Sequence, residues 1–192
     1  MPTDPIARFR SWFAAARRAR LELPEAMTLA TADRRGRPAA RMVLLKHADA
    51  AGFVFYTNAQ SRKGRELRET ARAALVFYWH PLGRQVRVEG RVREVDAAEA
   101  DAYWATRPRE SQLAALASTQ SRPVDSRATL VARWRALARR YRGATVPRPP
   151  HWTGFRVAAE TIEFWTQRPF RMHDREVFTR TPRGWKVARL QP

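Results

Sequence analysis

Pro38-Ala39-Ala40-Arg41-Met42-Val43-Leu44-Leu45-Lys46, then a turn at Asp49–Gly52, then Phe53-Val54-Phe55-Tyr56-Thr57 is the stretch on which the fold turns. Two apolar runs joined by a short connection ending in glycine read as antiparallel neighbours, because so short a link cannot carry a parallel crossover. The first run is bracketed by cations. Arg41 and Lys46 are five residues apart, so an ideal strand points them to opposite faces. If both meet ligands, the ligands differ or the strand is bulged.

Working outward, Met27–Ala32 precedes the turn signal Asp33-Arg34-Arg35-Gly36 and predicts another strand. Asp4-Pro5 is a helix start, and Ile6, Phe9, Phe13 and Ala16 recur at helical spacing, predicting a helix over about 5–21 ended by Pro24. Downstream, Ser61 caps a short helix over 61–69, and strands are expected at 73–79 and 85–95 around Pro81-Leu82-Gly83. Helices follow at 96–105, 111–117 and 125–141. After Pro147, Pro149 and Pro150, strands return at 155–158, 161–165, 177–179 and 185–190. The chain therefore reads as one domain over 1–192, with a helical insertion at about 96–142 and C-terminal strands at about 153–192. Hairpin-length connections favour an α+β antiparallel barrel or sheet over a doubly wound parallel one.

Composition narrows the chemistry. The 192 residues carry 37 Lys+Arg against 18 Asp+Glu, a net charge of +19, yet 44% are hydrophobic, enough for a packed core. Only Lys46, Lys63 and Lys186 are lysines, and the cations are spread along the chain. The charge points to anions without naming them; nucleic acid is one possible partner. With no cysteine, disulfides and thiolate sites are excluded. No two of the eight glycines lie closer than seven residues, which excludes both the dinucleotide fingerprint and the P-loop. A bound phosphate would have to be held by side chains, for which the arginine fork is well shaped. His47, His80, His151 and His173 form no zinc motif, so no metal is expected. The absence of a long apolar run or a signal-like start makes a cytoplasmic location the expectation.

Four clusters look functional. The first is the cation-bracketed strand Arg41–Lys46. The second is Tyr56-Thr57-Asn58 leading into Ser61-Arg62-Lys63, a strand end feeding a helix start where free N–H groups favour an anion. In the third, Tyr103, Arg107 and Ser111 are spaced by four around Pro108, followed by Gln120-Ser121; helix capping is the plain alternative for Ser111. The fourth sets the strand Ile162-Glu163-Phe164-Trp165 before the dense loop Arg171-Met172-His173-Asp174-Arg175.

In this order, together with Arg84-Gln85-Val86 and the terminal Arg189-Leu190-Gln191-Pro192, the clusters resemble the pyridoxine (pyridoxamine) 5′-phosphate oxidase family, flavoproteins of the FMN-binding split-barrel fold. The resemblance implies that Arg41, Arg62, Lys63, Gln120 and Ser121 help bind FMN, chiefly its phosphate and ribityl chain. It implies that Met42, Val43, Leu44, Leu45, Lys46, Tyr56, Thr57 and Gln85 line the flavin, with Trp165 and Arg175 also at flavin-binding positions. Lys46, Tyr103, Arg107 and Ser111 would hold the substrate phosphate, and Arg171, Met172 and His173 would sit at the pyridine ring, Arg171 and His173 as catalytic residues. Met172 stands where the family commonly has leucine, a volume-conserving change. The implied partners are pyridoxine or pyridoxamine 5′-phosphate, O₂ and a second copy of the chain, with FMN at the subunit interface. The alternatives are a split-barrel flavoenzyme of the phenazine-biosynthesis branch and a nucleic-acid-binding protein.

Overall fold

The computed structural model describes residues 4–192. Helix α1 (Pro5–Arg18) starts as expected, with the Asp4 carboxylate accepting the Ile6 N–H at 2.8 Å. It ends three residues before the expected boundary. Strand β1 (Ala26–Ala32) pairs along its whole length with β2 (Pro38–Leu44), and the short β3 (His47–Asp49) forms a hairpin with β4 (Gly52–Asn58). The expected strand over 38–46 is thus broken. It stops at Leu44, Leu45 turns into the core, and pairing resumes on β4 instead of β1, with the Lys46 amide donating to the Val54 carbonyl at 2.8 Å. This break, and not a continuous strand, separates Arg41 from Lys46.

Helix α2 (Arg62–Thr70) leads to β5 (Arg72–Trp79), a 3₁₀ turn at His80–Leu82, and β6 (Arg84–Glu94). Helices α3 (Ala97–Thr106), α4 (Arg109–Ala117) and α5 (Arg127–Arg140) follow, before the 15-residue β7 (Trp152–Thr166), then β8 (Asp174–Thr181) and β9 (Gly184–Arg189). The sheet is antiparallel throughout, ordered β2-β1-β5-β6-β7-β4-β3, with β8 and β9 added on the far half of β7. Two separate strands were expected where β7 runs unbroken. Its first half pairs with β4 and its second with β8, while β6 spans both with a register shift at Glu89/Gly90. Gly90 is required there: a Cβ would lie 2.0 Å from the Ala158 carbonyl oxygen.

The curled sheet closes around an aromatic core. Phe9 of α1 packs on Phe53, Phe77 and Trp79 at ring distances of 4.8, 5.0 and 6.1 Å, so the helix plugs one end. Burying four such rings supplies several kcal/mol, at roughly 1.5–3 kcal/mol per large apolar side chain. A smaller core of Trp104, Leu113, Val146 and Trp152 fixes the helical insertion onto β4 and β7.

Candidate functional site

The start of α2 is built to gather cations. Ser61 caps the helix by accepting the Gly64 N–H, and the turn packs so closely that a Cβ at Gly64 would lie 2.3 Å from the Ala59 carbonyl oxygen. One helical turn on, the buried Glu66 accepts hydrogen bonds from Thr31 of β1 (2.5 Å), Arg41 of β2 (3.2 Å) and Arg62 (2.7 Å). Burial opposes ionisation of Glu66, but these donors and the charges of Arg62 and Arg41 outweigh it and hold the carboxyl below its ordinary range. Lys63 is buried beside them with neutral partners only, donating to Gln120 Oε1 at 2.9 Å and Ser61 Oγ at 3.3 Å. Desolvation, aided by the nearby Arg41 charge, lowers its pKa to about 8. The Arg62 amide donates to Ser121 Oγ at 3.2 Å, so Gln120 and Ser121, from the loop after α4, close over the same helix start. Ser121 holds that geometry with a left-handed backbone (φ 70°).

Next to this cradle lies a cavity of about 330 Å³ lined by Tyr56, Thr57, Arg107, Ser111, Gln120 and Trp152, among others. Thr57 Oγ1 donates to Gln120 Oε1, tying the cavity to the Lys63 cradle. Its aromatic wall is stacked: Tyr56 lies 4.0 Å from Tyr103 with rings 13° apart, and 5.3 Å from Trp152 at 9°. Burial, reinforced by the Glu99 charge, raises the Tyr56 hydroxyl to about 12, so it stays a neutral donor. Arg107 sits at the break between α3 and α4, over the Trp104 and Trp152 rings at 5.1 and 4.7 Å. Its Nη1 is buried with no hydrogen-bond partner, an arrangement that a ligand anion would relieve. Desolvation lowers its pKa from the ordinary arginine value. Ser111 is not a cap; α4 already starts at Arg109 after Pro108, and Ser111, inside its first turn, is among the residues lining this cavity.

The C-terminal cluster forms a second group. Gln85, Trp165 and Arg175 lie side by side across β6, β7 and β8. Glu163 of β7 accepts two bonds from Arg175, at 2.8 and 3.1 Å, and one from Arg87. His173 packs 4.6 Å from the Trp165 ring, and its Nδ1 accepts the Arg168 amide N–H, which leaves the proton of the neutral ring on Nε2. The loop expected over 171–175 is shorter than its motif, since β8 begins at Asp174. Phe170 and Arg171 both adopt left-handed backbone (φ 58° and 61°), and Phe170 is 94% exposed. Strain of this kind gathers at functional sites.

One chain therefore assembles Arg41, Tyr56, Thr57, Arg62, Lys63, Tyr103, Arg107, Ser111, Gln120 and Ser121, but does not bring Gln85, Trp165, Arg171, Met172, His173 and Arg175 to them. The cavity beside His173 and Arg175 shares no lining residue with the one beside Arg107. The Met42–Lys46 run scatters: Met42 and Leu44 face outward from β2, Val43 packs against the core, Leu45 is buried in it and Lys46 is exposed. Glu163 entered the sequence reading only as part of the strand before the 171–175 loop, without a role of its own, while Thr31, Glu66 and Trp152 escaped it. These three are far from their partners in sequence and belong to no local motif, although Glu66 falls one helical turn after Arg62.

An antiparallel split barrel that gathers cationic side chains at a helix start, with a second cation-lined cavity alongside, belongs to the split-barrel flavoprotein class. A pyridoxamine 5′-phosphate oxidase-related, FMN binding protein from Nostoc punctiforme shares the fold, with a TM-score of 0.79 over 100% of both chains at 15% identity. PhzG from Burkholderia lata, solved with tetrahydrophenazine-1-carboxylic acid, matches with a TM-score of 0.95 and 35% identity over 100% of this chain and 94% of its own. Pyridoxine/pyridoxamine 5′-phosphate oxidase of Gluconobacter oxydans is 52% identical over 192 residues, 100% of this chain and 96% of the relative. The family profile described as pyridoxamine 5′-phosphate oxidase matches residues 13–141, and that of the pyridoxine 5′-phosphate oxidase C-terminal dimerisation region matches 152–192. The chain belongs to the pyridoxamine 5′-phosphate oxidase family.

Proposed function

We propose that this chain oxidises pyridoxine 5′-phosphate or pyridoxamine 5′-phosphate with O₂ to pyridoxal 5′-phosphate and H₂O₂, water entering and ammonia leaving in the amine reaction. The observation that carries the reading is the cavity holding Arg107, Ser111 and Thr57, whose cation has a buried, unpartnered N–H and forms no ion pair among the described residues. It lies against a separate cradle of Arg41, Arg62 and Lys63, so two phosphates can be held side by side. The residues present fit FMN, because Lys63 is a buried cation bonded only to neutral groups. Bound FMN supplies the two-electron acceptor and its reoxidation by O₂.

The protein's share is binding and orientation. Arg62, Lys63, Gln120 and Ser121 hold the FMN phosphate, with Arg41 fixed behind them by Glu66. Arg107 and Ser111 hold the substrate phosphate, joined by Tyr103 and Lys46, which places the 4′ carbon at the flavin; such positioning lowers barriers by several kcal/mol. Arg171 and His173 orient the pyridine ring, and His173 Nε2 offers an N–H to the 4′ substituent. Because Arg107 and His173 line separate cavities, a second copy of the chain supplies Gln85, Trp165, Arg171, Met172, His173 and Arg175 to the first copy's cradle, with FMN at the interface. Those copies form a homodimer. The scattered Met42–Lys46 run meets the flavin, and Lys46 the substrate, only in that assembly. Among the described residues no helix is long and apolar enough to cross a membrane, in keeping with a soluble enzyme in the cytoplasm.

Purified protein loaded with FMN is expected to convert pyridoxine 5′-phosphate to the aldehyde with one H₂O₂ per turnover. A protein that neither retains FMN nor turns over after reconstitution overturns the reading. Oxidation of tetrahydrophenazine-1-carboxylic acid, the compound held by PhzG, with pyridoxine 5′-phosphate left untouched would favour the phenazine-branch alternative.

A further inference from the structure

Three candidate-site arginines are held by acids. Arg41 and Arg62 share Glu66, and Arg175 makes a two-pronged contact with Glu163. Arg107 is held by rings, its guanidinium 4.7 Å from the Trp152 centroid and 5.1 Å from that of Trp104. Both rings are themselves fixed. Trp104 Nε1 donates to the Val146 carbonyl at 2.8 Å, and its ring meets Trp152 edge-on at 4.9 Å. Trp152 is nearly parallel to Tyr56 and Tyr103, and its backbone is paired with Asn58 in the sheet.

We propose that Trp152, with Trp104 as its second face, is a positioning residue that holds Arg107 by cation–π contact so that the guanidinium is kept in place without being neutralised. This rests on the reading of Arg107 as the substrate-phosphate ligand. A carboxylate would immobilise the same guanidinium but would compete with the phosphate for its donors and cancel its charge. An indole face attracts the cation through its quadrupole and occupies none of the N–H groups. The unpartnered Nη1 is the expected consequence: the rings supply attraction, and the hydrogen bond is left for the ligand. By the same logic the FMN cradle tolerates Glu66, since Lys63 beside it has no acid partner and adds its own charge.

The test uses FMN-loaded enzyme and two readouts: KM and kcat for pyridoxine 5′-phosphate, and competitive inhibition by inorganic phosphate. Trp152→Leu is expected to raise both KM and the phosphate inhibition constant about tenfold, with kcat and flavin content little changed. Trp152→Phe, which restores a ring face, recovers most of the loss and serves should the leucine variant fail to fold. In an Arg107→Ala background the Trp152 substitution should cost nothing further, because the residue acts through the arginine. Equal losses with and without Arg107, unchanged phosphate inhibition in Trp152→Leu, or a tenfold loss that persists in Trp152→Phe would overturn the proposal. Direct titration of the wild type and Arg107→Ala with inorganic phosphate separates the two readings. If phosphate binds Arg107 but pyridoxine 5′-phosphate is not oxidised, the proposed reaction fails and the anion site stands; if phosphate binding ignores Arg107, the positioning role falls with it.

Discussion

Arg41 and Glu66, 25 residues apart in sequence, meet at 3.2 Å beneath the start of α2, and the same carboxylate oxygen accepts a hydrogen bond from the Thr31 hydroxyl. This contact joins β2 to α2 and sets the spacing of the cations in the proposed FMN cradle. Arg62 completes the arrangement from the other oxygen.

Replacing Glu66 by glutamine should therefore cost about 1–3 kcal/mol of stability at neutral pH, the typical loss when a buried charged hydrogen-bonding partner is removed. Because the native carboxyl titrates below the ordinary glutamate range, its stabilisation is full above that range and is lost as the pH falls through the lowered native pKa. Thermal melts from pH 7 down to pH 3 should show a steeper acid decline in the wild type than in Glu66→Gln. Parallel curves would mean that Glu66 is not a net stabiliser.

Lys63 sets a limit at the alkaline side. Its pKa of about 8 in the free protein means that the ammonium is present below that pH and is lost above it, whereas a bound phosphate would hold the proton. FMN affinity is thus expected to be flat below about pH 8 and to fall by up to tenfold per pH unit above it. Quenching of flavin fluorescence measures this directly. Lys63→Arg, whose side chain stays charged, should remove the decline, and a flat wild-type profile to pH 9.5 would contradict the assignment.

Arg171→Ala should lower turnover about 100-fold while leaving FMN content near normal, since the residue is proposed to meet the substrate ring. Co-expressing Arg171→Ala with Arg107→Ala provides the sharper measurement. If each site takes Arg107 from one subunit and Arg171 from the other, mixed dimers contain one site with both arginines and regain activity that neither variant has alone. No recovery in isolated mixed dimers would place both arginines in the same chain's site.

Gly154 lies under the aromatic wall, where an added Cβ would fall 2.7 Å from Tyr56 Cε1 and 2.9 Å from Val95 Cγ2. Gly154→Ala should displace the Tyr56 ring from its stack on Tyr103 and Trp152, costing about 1–3 kcal/mol by overpacking. Near-ultraviolet circular dichroism, which reports on packed aromatic rings, should weaken with the melting temperature; an unchanged spectrum would show that the wall gives way without cost.

Short-range patterns in the chain were enough for the antiparallel α+β order and for the helix caps at Asp4 and Ser61. These depend on short-range rules: alternation, turn residues and capping act within a few residues. The sequence by itself also indicated that phosphate would be gripped by arginine and lysine, because no glycine loop is available. Tertiary structure alone decided that the 38–46 run breaks at Leu44, since Leu45 finds a place in the core and Lys46 finds a new partner strand in β4. It alone merged 155–158 and 161–165 into β7, because β6 pairs across the bulge that hides the continuity from local alternation. The support of the arginines was equally invisible. Glu66, Glu163 and Trp152 reach their cations through sheet register and helix packing, and a contact between residues 25 or 45 positions apart leaves no periodic trace in the chain.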